Sequence, residues 1–227
     1  MMLLLRGFVS GVTAESIRKR IAWLALSFLL LYVTIAVLSC YPPPQGCLRG
    51  KHRIFAQLRF SPVVWVSTLQ IFGYNLIPTT LIMLASLIAQ QSRLVQERYV
   101  PVGYTAFWGL TVLLAMMAGS CSFEVAAAPP ALLRRLTRLF DVVHHAGLVE
   151  FSAYLLAADA SFQFTLFCSD GRRTTTIGSR RDFELSGSEN ASLLLALLLL
   201  LCAAYVESLA LGRAANYPDW SDSPLWT

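Results

Sequence analysis

Apolar residues run along this chain in long unbroken stretches, and polar residues collect in the gaps between them. Ile21 to Leu38 follows the basic cluster Arg18-Lys19-Arg20. A helix of that length matches one crossing of a hydrocarbon core about 30 Å thick. The run is long for the core of a signal peptide, and no small-residue cleavage motif follows it. It predicts an uncleaved first span, 21–38, behind a basic N-terminal segment, 1–20. Phe60 to Ser92 contains no charged residue. As one helix it would be about 50 Å long, so it divides into an interfacial piece around 60–69 and a second span, 71–89, with Pro78 inside it. A third span is expected at 101–121, where Trp108, Gly109, Ala115, Ala118 and Gly119 predict close helix contacts.

The segment AAAPP then breaks the helical pattern. After it, Leu132, Leu133, Leu136, Leu139, Phe140 and Val143 recur on one helical face, with Arg134, Arg135, Arg138 and Asp141 on the other. That periodicity predicts an amphipathic helix lying in the membrane interface, with Leu136 and Phe140 available for docking. A fourth span, 142–168, a polar loop and a fifth span, 191–211, complete a transmembrane domain of 21–211. The tail, 212–227, carries Trp220 and Trp226, suited to headgroups or to a partner surface. The pattern as a whole predicts an all-α, polytopic transmembrane helical bundle of about five spans with interfacial amphipathic helices.

Composition sharpens this picture. Of 227 residues, 56% are hydrophobic and only 14% charged, which leaves no room for a separate soluble domain. The formal charge of +5 comes from Lys and Arg placed between the apolar runs, where they meet anionic headgroups. No platform of interleaved basic and aromatic residues points to nucleic acid. A small excess of basic residues in the loops on the N-terminal side places that terminus in the cytoplasm, and the expected location is a bacterial cell membrane. Cys40 and Cys47 bracket YPPPQG and are candidates for a loop-closing disulfide.

The chemistry concentrates in the spans. His144, His145, Glu150 and Asp159 lie in the fourth, Asn75 in the second and Glu207 in the fifth. An ionised group at mid-membrane costs about 2.5–3.5 kcal/mol on translocon scales and needs compensation. Glu150 and Asp159 are nine positions apart, on opposite faces of a helix, so each requires its own partner. Asn75, His145, Glu150, Asp159 and Glu207 therefore form the candidate intramembrane polar cluster. Adjacent histidines point about 100° apart on a helix and do not readily share one ion, so no metal is expected. Nucleotide-cradling, serine-hydrolase and zinc-protease motifs are all missing, and no catalytic residue is assigned.

The order of elements resembles the stage II sporulation protein M family of integral membrane proteins across residues 15–212. An N-terminal span, Asn75 within FGYNL, Gly147-Leu148-Val149-Glu150 and AAYVE (Ala203 to Glu207) carry the resemblance. Gly147 and Glu150 fit the family's His-Gly-x-x-Glu motif; Ala146 stands at its His position, and His145 precedes it. The resemblance implies a protein that acts by assembly, with Asn75, Glu150 and Glu207 meeting in the bundle. The expected function is a non-enzymatic scaffold or accessory subunit of a larger membrane complex, with other membrane proteins and lipids as partners and no cofactor. Two alternatives stand beside it. One is a small transporter or channel component using Glu150, Asp159 and His145 as a polar path. The other is a pigment- or lipid-binding accessory chain with a tetrapyrrole at His144 or His145.

Overall fold

A computed structural model describes residues 2–40, 60–92, 95, 98–120, 146–171, 173–176 and 186–215, with side chains in the last stretch as far as residue 211. The described residues are mostly helical. The helices are α1 (Met2–Val12), α2 (Ile17–Ser39), α3 (Val64–Ala85), α4 (Val102–Gly119), α5 (Leu148–Ala160) and α6 (Gly187–Ala215). Four of them contain segments long and apolar enough to cross a membrane: Ile17–Ser39, Val64–Ala85, Val102–Gly119 and Gly187–Leu211.

Contacts at both ends fix how the helices run. The starts of α2 and α6 meet the end of α5 through Arg20, Glu189 and Asp159, and the ends of α3 and α5 meet through Ser86 and Ser161. At the opposite end, Gly119 of α4 packs on the Ala36 carbonyl and Ser39 of α2, with no space for a Cβ. There too, Ser208 of α6 donates to the Val64 carbonyl of α3 at 2.7 Å. Helices α2, α4 and α6 therefore run one way and α3 and α5 the other. Small residues make these close approaches possible, as expected where packing and hydrogen bonds, rather than hydrophobic transfer, hold helices together.

The expected fourth span, 142–168, is divided differently. Its helix is α5, of 13 residues, followed by a 3-10 turn at Ser161–Phe164 and a strand at Phe167–Ser169. A π turn at 146–147 leads into α5, which lies inside the bundle in contact with α2, α3, α4 and α6. Ala153, Ala157, Ala158 and Ala160 are fully buried, as are Ala196, Leu200 and Ala204 on the facing α6. Phe28, Tyr32 and Phe151 form an aromatic core with ring centroids 4.7–5.7 Å apart.

Two other expectations change. The basic segment 1–20 contains α1, an amphipathic helix whose Phe8 packs on Trp23 and Trp108 while Leu3 and Leu4 are exposed. The interfacial piece expected at 60–69 is largely the first turns of α3, which passes through Pro78 unbroken. The surplus length emerges at the other end as strand β1 (Ile88–Gln91). It pairs antiparallel with β2 (Tyr99–Pro101) and parallel with β3 (Phe167–Ser169), and β3 pairs antiparallel with β4 (Thr174–Thr176). This four-stranded sheet, ordered β2-β1-β3-β4, caps one end of the bundle. Gly171, at φ 87°, makes the tight turn between β3 and β4.

The chain thus repeats a unit: helix, two-stranded hairpin, helix. Units α3-β1-β2-α4 and α5-β3-β4-α6 lie side by side with their first strands parallel. Asn75 bonds to Glu150, and Ser86 to Ser161, each pair 75 residues apart. In the sheet the offset becomes 79, Ile88 facing Phe167, because the second unit inserts the four residues of the 3-10 turn.

Candidate functional site

Burial of a basic residue begins with helix phase. Along α2, Arg20, Leu24, Phe28, Tyr32 and Ala36 are spaced four apart and all are buried, while Arg18 and Lys19 point outward and are exposed. The Arg20 side chain, 2% exposed, is held from several directions. Nε donates to Asp159 Oδ1 at 2.8 Å, and Nη1 donates to the carbonyls of Ala14 and Glu15 at 3.2 Å. Nη2 lies 3.6 Å from Glu189 Oε1. The guanidinium stands 4.5 Å from the centroid of the Phe162 ring.

Glu189 has a second task. Its Oε2 accepts from the backbone N–H and the hydroxyl of Ser186 at 3.0 and 2.9 Å, and its own N–H donates to Ser186 Oγ at 3.3 Å. That reciprocal arrangement is a capping box at the start of α6, where a negative charge is also favoured by the helix dipole. One carboxylate thereby caps α6 and ties it to Arg20. The result is a charged knot joining the α1–α2 turn, α2, α5, the 3-10 turn and α6.

A second cluster lies deeper. Asn75, at the middle of α3, donates through Nδ2 to Glu150 of α5, and its carbonyl accepts from Thr79 Oγ1 at 2.9 Å. Glu207 of α6 is close enough to act on Glu150 by its charge, and Tyr154 lies within electrostatic reach of both. No basic side chain is bonded to these carboxylates among the described residues. Ser67 and Ser208 share a hydrogen bond nearer the end away from the sheet.

Of the expected cluster, Asn75, Glu150 and Glu207 come together, and Asp159 belongs to the separate knot around Arg20. Independent partners for Glu150 and Asp159 are what their opposite helical faces require. Arg20 was expected as an interfacial flanking charge; the structure places it inside, because position 20 shares a face with Leu24 and Phe28. Glu189 and the Ser186 cap escaped the sequence reading, although Ser-x-x-Glu ahead of an apolar run is their signal. His144, His145, Cys47, Leu136, Phe140, Trp220 and Trp226 lie outside the described residues. Cys40 is buried at the end of α2, its thiol donating to the Ala36 carbonyl at 3.3 Å. Among the described residues no group of three or more His, Cys, Asp or Glu is arranged to hold a metal ion.

Comparison with protein-family models, curated proteins and solved structures finds no match to this chain.

Proposed function

We propose that this chain is a non-enzymatic integral membrane scaffold or accessory subunit of a larger membrane complex, as the resemblance to the sporulation protein M family implies. The observation that supports this reading most is where the polar groups are used. Arg20 with Asp159 and Glu189, Asn75 with Glu150, Ser86 with Ser161, and Ser67 with Ser208 each join different helices. Such groups act as interhelical ties. The faces turned outward are broad and apolar: Leu26, Leu29, Leu30 and Val33 on α2; Trp65, Leu69, Ile77 and Leu81 on α3; Leu194 and Leu198 on α6. These faces suit lipid and the spans of partner proteins.

In this proposal the protein is multi-pass in a bacterial cell membrane. The sheet end, with exposed Arg18 and Lys19, faces the cytoplasm in keeping with the positive-inside rule. The test is crosslinking in the native membrane, followed by purification of the tagged chain in mild detergent and quantification of co-purifying proteins. One or more membrane proteins in fixed stoichiometry are expected; recovery of the chain alone, as a monomer, would refute the proposal.

A second reading, a transporter or channel component, draws on one specific observation. Asn75 of the first repeated unit bonds Glu150 of the second, beside Glu207, and binding sites of repeat-built transporters commonly lie at such junctions. Proton or cation flux in proteoliposomes, abolished by Glu150→Gln in a protein that remains folded, would favour it over the scaffold.

A further inference from the structure

At the charged knot, two polar atoms are left over. Tyr104 and Asp159 are both 0% exposed. The Tyr104 hydroxyl and Asp159 Oδ2 have no hydrogen-bond partner among the described residues. They belong to one neighbourhood: the Tyr104 ring stacks on Phe162, with centroids 6.4 Å apart, Phe162 carries the Arg20 guanidinium on its ring, and Arg20 Nε is bonded to the other carboxylate oxygen of Asp159.

A buried hydroxyl and a buried carboxylate oxygen each carry a penalty when unpaired, larger for the charged group. The neighbouring polar side chains are turned to other partners. Arg20 Nε donates to Oδ1, Nη1 to two backbone carbonyls, Nη2 faces Glu189 Oε1 at 3.6 Å, and Glu189 Oε2 accepts from Ser186. What both atoms lack is one small molecule that donates to Oδ2 and bonds to the phenol. We infer that a water molecule is bound between Tyr104 and Asp159, bridging α4 to α5 and completing the hydrogen bonding of the knot. Buried waters characteristically occupy such positions, linking otherwise unsatisfied polar groups. The bridge extends the knot to α4, a helix to which Arg20 itself makes no hydrogen bond.

Radiolytic hydroxyl labelling of the intact protein in H2(18)O, read by mass spectrometry, detects bound water beside residues that bulk solvent cannot reach. Tyr104 should be labelled well above Phe107, which lies one turn away and is 1% exposed; equal labelling would overturn the inference. Tyr104→Phe then removes the hydroxyl while keeping the ring. Its melting temperature should fall by about 2–12 °C, the range for leaving one buried polar partner unsatisfied in a chain of this size, and the fall should shrink in an Asp159→Asn background. A melting temperature that stays or rises, or a fall of equal size in both backgrounds, would mean that no water links the two residues. Should Tyr104→Phe fail to fold, the labelling of the wild-type protein decides alone.

Discussion

Replacing Arg20 with methionine keeps much of the side chain's length and apolar stem while deleting the guanidinium. Asp159, 0% exposed, would then hold a carboxylate with no counter-charge bonded to it, and the carbonyls of Ala14 and Glu15 would lose their donor. Removing one partner of a buried ion pair costs about 3–5 kcal/mol, because the other charge remains where water cannot reach it. At about 2–4 °C per kcal/mol for a chain of this size, the melting temperature should drop by about 6–20 °C. The assay is a thermal challenge of the detergent-purified protein, with the folded fraction read by size-exclusion chromatography. Arg18→Met and Lys19→Met, at exposed neighbouring positions, serve as controls and should move the midpoint by no more than about 2 °C. Adding Asp159→Asn to Arg20→Met should recover part of the loss, since the stranded charge is then gone. An Arg20→Met protein as stable as the Arg18→Met protein, or losses that simply add in the double variant, would refute the claim that the knot holds these helices together.

Other outcomes follow from the same geometry. Glu150→Gln keeps an acceptor for Asn75 while removing one of two neighbouring carboxylates, so stability should hold or rise in the thermal assay, whereas Asn75→Leu should lower it. Gly119→Ala drives a methyl group into the Ala36 carbonyl and should destabilise the α2–α4 contact. Gly73→Ala, with nothing within 4 Å of the added carbon, should be neutral or stabilising by up to about 1 kcal/mol, the helix preference for alanine. Ser186→Ala breaks the capping box of α6 and should cost about 1 kcal/mol, visible as a fall of a few degrees in midpoint and as faster amide exchange in the first turn of that helix.

Long apolar runs made the helical membrane architecture legible, because nothing else accounts for Ile21–Leu38 or Ala191–Leu211. Reading 142–168 as one span followed from composition alone. The segment Phe162-Gln163-Phe164-Thr165-Leu166-Phe167-Cys168 alternates polar and apolar side chains in part, a strand signal hidden inside an otherwise helical-looking stretch. Strand β1 escaped notice for a similar reason. Leu87 to Gln91 continues the uncharged run of α3, and only pairing with β2 and β3 decides that it is extended. Asn75, Glu150 and Glu207 were recognisable as groups needing company in an apolar setting. Arg20 was not, since a basic residue at the start of a span reads equally well as a headgroup contact; its burial depends on sharing the Leu24 and Phe28 face and on a carboxylate 139 residues away.

The proposed scaffold role has the polar groups inside this bundle serve assembly and not passage. It is tested most directly by extracting the chain from its native membrane in polymer nanodiscs and measuring the particle mass for the wild-type and Glu150→Gln proteins. A mass well above one chain is expected, with the same composition for both. A wild-type particle holding a single chain, in a protein whose proteoliposome flux disappears with Glu150→Gln, would contradict it.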